Sequence, residues 1–202
     1  MPMTNNSWYE AVVADAPLTQ GDLLEDFPLV GWKSEAIRVD QDKNLGESLR
    51  GATEIVQANV VVMTQACDLE HEKVTNVILC PFESLAEHFS LWKEAMQAGN
   101  QTPSKKAWRR YCDDIRDGFV WNMTILDAGE SGELSTPHLV VEFREIFTLP
   151  RTFIESLVSQ RTKPRLRLLP PYREHLSQAF ARFFMRVGLP VPIDADWLDV
   201  YS

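Results

Sequence analysis

Long hydrophobic runs are missing from this chain of 202 residues. No segment approaches the ~20 consecutive apolar residues that a membrane-spanning helix needs. The first seven residues, Met1 to Ser7, also lack the basic start and the apolar stretch of a secretory signal peptide. We therefore expect no membrane association and a cytoplasmic location.

Cysteine is scarce and follows no pattern. The three cysteines are Cys67, Cys80 and Cys112, and an odd count without regular spacing argues against a disulfide framework. A structural zinc site needs four ligands, and the chain has neither CxxC nor HxxxH spacing. We expect reduced, mostly buried thiols, and we expect neither a bound metal nor a cofactor.

Internal repeats and low-complexity linkers are missing as well, so residues 1–202 are predicted to form a single domain. The composition, with 45% hydrophobic and 24% charged residues, is close to the average of globular proteins. A chain of this size typically buries roughly 70% of the surface that it exposes when unfolded. The sequence therefore predicts a folded protein with a substantial core.

Positive charge is scarce overall, but it is concentrated in one segment. The net charge is −9, whereas residues 151–190 hold eight Lys and Arg against two Asp and Glu. An acidic protein is a poor sequence-independent nucleic-acid binder, because that mode depends on neutralising phosphates. The segment is predicted to dock on an acidic face of the same chain or of a partner, with a phosphate backbone as the alternative. The candidate binding residues in it are Arg165, Arg167, Arg182 and Arg186.

The most informative segment runs from Val60 to His71. Apolar and β-branched residues predict a buried strand over 55–65, and a second strand is predicted over 74–80, ending at Pro81. A short polar connection between two strands favours a β-hairpin. The tip of that hairpin would carry the candidate site residues, which are Thr64, Gln65, Cys67, Asp68 and His71.

Four interpretations of this predicted tip stay open, and one of them is a pocket that binds a ligand without catalysis. Asp68 is typical of a polar turn, in which its side chain bonds to the nearby backbone. A Cys/His hydrolase would need a lowered thiol pKa at Cys67 and the imidazole of His71 within hydrogen-bond reach. A metal site would recruit Cys67, His71 and Cys80, with Asp68 as a further ligand.

The helices are predicted from apolar residues at helical spacing. Leu85, Phe89, Trp92 and Met96 predict one helix that ends at Gly99, and Trp108, Cys112 and Ile115 predict a second one. Together they form an αα-hairpin inserted at 83–118. A C-terminal amphipathic helix is predicted over 170–188, with an apolar face and a neighbouring basic stripe.

The remaining segments give shorter predictions. Further strands are predicted over 28–39, 119–126, 139–144 and 165–169, with an exposed loop over 40–53 and a turn over 127–136.

Several short motifs resemble those of the PemK/MazF-like family of small SH3-like β-barrels. The matching pieces are Gly21-Asp22-Leu23, Val60-Val61-Val62-Met63-Thr64, Val77-Ile78-Leu79-Cys80-Pro81 and Val140-Val141-Glu142-Phe143-Arg144-Glu145-Ile146. The resemblance implies an α+β fold: an SH3-like antiparallel β-barrel with the inserted αα-hairpin and the C-terminal helix. The Arg-Pro pair that precedes the Val-rich strand in that family is Ala58-Asn59 here.

The same resemblance implies one possible activity. Toxins of the PemK/MazF-like family cleave RNA without a metal, using Arg with Thr or Ser near the sheet. Thr64 is the counterpart that this sequence offers, and Arg144 is a candidate for stabilising the charge that develops on the phosphate.

The whole sequence favours a non-enzymatic interaction module over an enzyme. Six tryptophans, Trp92 and Trp108 among them, could anchor an interface with a protein partner or with a second copy of the chain. RNA is a further possible partner. The alternatives are a metal-independent endoribonuclease and a Cys/His-containing metal-binding or hydrolase site at 64–71.

Overall fold

The computed structural model describes residues 7–33 and 44–185. They form an α+β fold with mostly antiparallel pairing. The strands are β1 Tyr9–Val12, β2 Leu23–Trp32, β3 Thr53–Val62, β4 Asn76–Ser84, β5 Met123–Leu126, β6 Gly129–Ser131, β7 Leu134–Thr136, β8 Leu139–Glu142, β9 Phe147–Pro150 and β10 Arg165–Leu168. The helices are α1 Leu45–Ala52, α2 Ala66–Glu70, α3 Leu85–Ala98, α4 Lys105–Arg116, α5 Arg151–Arg161 and α6 Tyr172–Phe184.

The strands of the described residues form three open sheets. The largest has the order β2-β3-β4-β8-β5, and β9 also pairs with β4. β1 pairs with β10, and β6 pairs with β7. A single bridge between Asp22 and Arg167 joins β10 to the start of β2. Within residues 7–33 and 44–185 the strands do not close into a barrel.

β4 is the central strand, and it is longer than the sequence predicted. We expected the strand to end at Pro81, but it continues to Ser84. β9 pairs with residues 76–79 of β4 and β8 pairs with residues 82–84, so Pro81 falls between the two ladders. Proline lacks a backbone N–H, and in this gap the missing donor interrupts neither ladder.

Two clusters of buried residues form the core, and β3 and β4 contribute to both. One cluster includes Val61 and Cys80 together with the buried face of α6, and the other includes Val60 and Leu79 together with the buried face of α5. Successive side chains of a strand point to opposite faces, so each of these strands separates two apolar layers.

The predicted helices lie where the apolar spacing placed them. α3 and α4 both fall within 83–118, and α6 falls within 170–188, whose last residues lie outside the described part of the chain. α3 begins at a capping box, in which the Ser84 side chain accepts from the Glu87 N–H and the Glu87 carboxylate accepts from the Ser84 N–H. No helix among the described residues has the length and apolar character to cross a membrane.

Other predictions at the level of elements were wrong. The predicted loop 40–53 contains α1, which Asn44 caps by accepting from the Glu47 N–H, and the predicted turn 127–136 contains the β6–β7 hairpin. β5 is shorter than predicted because the N–H groups of Phe119 and Val120 both donate to the Asp114 carbonyl at the end of α4. Part of the predicted strand 28–39 lies outside the described residues.

Candidate functional site

The predicted tip between β3 and β4 is a short helix, α2, and its side chains point in different directions. Thr64 is buried, and its hydroxyl accepts a hydrogen bond from the Ile78 N–H at 2.7 Å. Gln65, Cys67 and His71 are exposed. The half-buried carboxylate of Asp68 lies 3.9 Å from the Lys73 ammonium. The segment therefore forms a polar connection that is bonded mainly to itself.

The geometry of this tip differs from that of a Cys/His catalyst. The side-chain contact of the Cys67 thiol is the Asp68 carboxylate at 3.8 Å, whereas an activated thiol needs a base such as an imidazole. Cys80 is fully buried, and burial, with a smaller effect of the Glu142 charge, raises the pKa of its thiol from 9.0 to about 12. Cys80 therefore stays protonated at neutral pH. Among the described residues, no group of three or more His, Cys, Asp or Glu side chains could hold a metal ion.

Arg165 and Arg167 lie in a buried ion-pair cluster, although the sequence suggested a binding role for both. The carboxylate of Asp22 is inaccessible to solvent, and both guanidinium groups donate to it. Arg165 also donates to the carbonyls of Ala16 and Pro17, at 2.8 and 3.2 Å. The donors of Arg165 are thus used to hold the segment before β2 against β10.

The other predicted site residues that the structure describes are exposed. Arg144 is exposed just after β8, and its backbone N–H donates to the Glu142 carboxylate at 2.9 Å. Arg182 is exposed on α6, with its guanidinium against Gly118. Arg186 lies outside the described residues. No hydrogen bond or ion pair within the described part of the chain joins Arg144 or Arg182 to residues 64–71.

A cavity of about 330 Å³ opens between β2, β7, β10 and the end of α5; we call it the β2–β10 pocket. Its floor is apolar and comes mainly from buried side chains. Its rim carries polar and charged side chains of both signs. The lining residues of the floor are Leu23, Leu24, Phe27, Leu134, Val158 and Leu166, and those of the rim include Glu25, Asp26, Thr136, Arg161 and Lys163.

A β-bulge in β2 shapes one wall of this pocket. The register between β2 and β3 shifts between Leu24 and Phe27, and Asp26 adopts a left-handed φ of 48°. The Arg161 guanidinium donates to the carbonyls of Glu25 and Asp26, at 2.6 Å each, and lies 5.3 Å from the Phe27 ring centroid. Arg161 thus fixes the conformation of the bulge.

A second cavity, also of about 330 Å³, lies between α3 and the β4–β8 pair, and we call it the His88 pocket. His88 is buried beside it, with Nδ1 2.7 Å from the Glu83 carboxylate and Nε2 3.1 Å from the Tyr111 hydroxyl. Glu142 also lines the cavity and accepts from the Asn122 amide at 3.1 Å.

The His88 side chain is held by hydrogen bonds at both of its ring nitrogens. A substrate would have to replace Glu83 or Tyr111 at one of these nitrogens to reach the imidazole. Burial, followed by the Glu142 charge, raises the pKa of the Tyr111 hydroxyl, which therefore stays protonated at neutral pH. The network joins α3 and α4 to the sheet.

Sequence reasoning missed both cavities. The β2–β10 pocket is lined from residues 23–27, 134–136 and 158–166, which no local motif connects. One signal was present, because the basic segment includes Arg161, Lys163 and Arg165. No family model, curated protein or solved structure matches the chain.

Proposed function

We propose that the protein is a non-enzymatic interaction module whose β2–β10 pocket receives an extended segment of a protein partner. The observation that carries this proposal is the divergence of β2 and β10. One bridge joins Arg167 of β10 to Asp22, the residue before β2, and the two strands then separate around the pocket. A partner strand can enter where two strands part, because strand edges offer backbone hydrogen bonds to another polypeptide.

The strand edges around the pocket support a polypeptide as the ligand. β10 pairs with β1 on one side, and on the other side it meets β2 only at the bridge, within the described residues. β7 pairs with β6, so its second edge also borders the cavity. An extended peptide would bond to these edges while placing alternate side chains in the apolar floor.

The charges of the rim indicate which peptides would fit. Glu25 and Asp26 are exposed on one side of the pocket, and Lys163 is exposed on the other. Lys163 forms no ion pair with any described residue. A segment with an apolar anchor and an acidic residue beside it would pair with Lys163 and fill the floor.

The first test is selection of random linear peptides displayed on phage against the purified protein. The affinity of the enriched peptides is then measured for two variants of the protein. Thr136→Trp fills the pocket, and Lys163→Glu reverses the charge of the lysine at its rim. We expect each variant to weaken binding at least about tenfold, or about 1.4 kcal/mol. Lys105→Glu, an exposed change on α4 outside the pocket, is the matched control and should bind like the unaltered protein.

Two results would contradict the proposal. One is the absence of any enriched peptide, and the other is equal binding of the peptides by Thr136→Trp and by the unaltered protein.

Cleavage of mixed-sequence single-stranded RNA that survives EDTA and disappears in a Thr64→Ala/Arg144→Ala variant would favour the endoribonuclease instead. The SH3-like barrel, the PemK/MazF relationship and the cytoplasmic location stay predictions.

A further inference from the structure

Among the described residues β2 is an edge strand, and its second half lies beyond the β2–β10 pocket. The order of the largest sheet places β2 at one end, with β3 as its neighbour. The pairing with β3 continues from Phe27 opposite Ala58 to Trp32 opposite Thr53. An edge strand carries a row of backbone groups that lack a partner within the sheet, and it can pair with another chain.

The register shows which backbone groups face outwards. The Lys33 N–H donates to the Ala52 carbonyl at 3.0 Å, so this position is hydrogen-bonded to the β3 side. In an antiparallel pair, hydrogen-bonded and non-hydrogen-bonded positions alternate. Gly31 and Leu29 therefore bond towards β3, whereas the N–H and carbonyl groups of Val30 and Trp32 point away from it.

The side chains on the outer face of this edge are apolar. Val30, Trp32 and Ile55 keep 61%, 65% and 76% of their surface exposed, and Ile55 lies directly opposite Val30 on β3. Residues 29–32 include no charged side chain, although natural edge strands are commonly protected by charges.

The first half of the edge is protected, and this limits the length of any added strand. The bulge at residues 25–26 interrupts the ladder, and Arg161 occupies the carbonyls of Glu25 and Asp26. Pro28 lacks an N–H at the next outward-facing position. Among the described residues, the unprotected segment is therefore Leu29–Trp32, followed by Lys33, whose ammonium donates to the Gly51 carbonyl of α1. This segment is separate from the pocket proposed above.

We infer that this segment pairs with the same segment of a second copy of the chain, as an antiparallel dimer centred on Gly31. In this register Val30 of each copy exchanges backbone hydrogen bonds with Trp32 of the other. The edge is self-complementary, as a two-fold interface requires, because each outward donor meets an outward acceptor. On the outer face, Val30 would pack against Trp32 of the second copy, a β-branched–aromatic pair that stabilises antiparallel sheets.

The test is the mass of the unaltered protein in solution by light scattering after size-exclusion chromatography. We expect twice the chain mass of 23.1 kDa at high protein concentration and a single-chain mass for Val30→Lys/Trp32→Lys. Both positions are largely exposed, so the variant should keep the circular dichroism of the unaltered protein. Phe119→Lys, a change at a side chain that is 73% exposed elsewhere, is the matched control and should remain a dimer.

A second measurement tests the register directly. In a Cys67→Ser background, Val30→Cys and Trp32→Cys proteins are mixed and oxidised. Hydrogen-bonded antiparallel positions lie about 5.5 Å apart between Cα atoms, within the range of a disulfide, so a cross-linked dimer of the two proteins should form. Ile55→Cys protein mixed with itself is the control and should not cross-link. Two results would overturn the inference. One is a single-chain mass of the unaltered protein at concentrations up to about 1 mM, and the other is a dimer of the Val30→Lys/Trp32→Lys variant.

Discussion

At the scale of single residues, the Asp22 carboxylate is a structural centre of the fold. It is inaccessible to solvent, and two guanidinium groups donate to it, from Arg165 and Arg167. The same Arg165 also binds carbonyls of the segment before β2. A buried charge is costly unless it is paired and hydrogen-bonded, and each member of this cluster satisfies the others.

We predict that Asp22→Ala lowers the free energy of unfolding by about 3–5 kcal/mol, because the variant leaves two arginines without their buried counter-ion. Urea denaturation measures the change. Asp68→Ala is the control, since its ion pair with Lys73 is partly exposed and should contribute less than about 1 kcal/mol. Equal, small losses in the two variants would contradict the structural role of Asp22.

The individual roles of these residues could not be predicted from the sequence. Asp22 belonged to the Gly21-Asp22-Leu23 motif of the family resemblance, while Arg165 and Arg167 belonged to a basic segment that could face a partner. The cluster joins distant parts of the sequence, because Arg165 and Arg167 follow Asp22 by 143 and 145 residues. A charge pattern shows that counter-charges are needed, but it does not show whether they come from the same chain.

At the scale of elements, the sequence predicted best where apolar residues repeat at helical spacing. α3, α4 and α6 were predicted, since each carries aromatic or aliphatic residues at that spacing. α1 and α5 were missed. α1 has only eight residues, and two of them are glycines, which disfavour a helix. α5 does carry apolar residues at helical spacing, namely Phe153, Ile154, Leu157 and Val158, so its sequence held a signal for a helix. The strands β1 and β9, of four residues each, were missed as well.

The beginning of α3 supports a prediction about one element. The Ser84 hydroxyl caps the helix, and its hydrogen bond lowers the pKa of Glu87 below its ordinary 4.5. We predict that Ser84→Ala lowers the free energy of unfolding by about 1 kcal/mol at neutral pH. A group whose pKa is lowered by folding stabilises the fold above its unfolded pKa and loses that contribution as pH falls. The difference between Ser84→Ala and the unaltered protein should therefore shrink below about pH 4.5.

Thermal unfolding at pH 7 and at successively lower pH measures this difference. Ser104→Ala is the matched control, because Ser104 caps α4 by accepting from the Ala107 N–H, with no glutamate at that third position. Ser104→Ala should lower the free energy of unfolding by a similar amount at neutral pH, and this loss should not change as Glu87 titrates. A pH-independent cost for Ser84→Ala would argue against the capping box.

At the scale of the whole molecule, β4 joins the two core clusters. Val77 and Leu79 belong to the cluster that includes the buried side of α5, whereas Cys80 and Phe82 belong to the cluster that includes the buried side of α6. β4 also pairs with β3, β8 and β9. Neither cluster can lose its packing without disturbing a strand that the other cluster needs, so we expect the described residues to unfold as one cooperative unit.

Leu79→Ala tests this cooperativity. The side chain is inaccessible to solvent, and its truncation should lower the free energy of unfolding by about 2–5 kcal/mol. Leu79 belongs to only one cluster. Hydrogen exchange therefore shows whether its truncation also lowers the stability of the other cluster. If the two clusters unfold together, the most protected amides of β8, near Val141, should lose as much protection as those of β3, near Val62. Phe143→Ala makes the reciprocal change from the other cluster and should have the same uniform effect. Protection that falls only on the mutated side would mean that the clusters unfold separately, with β4 able to release one ladder while keeping the other.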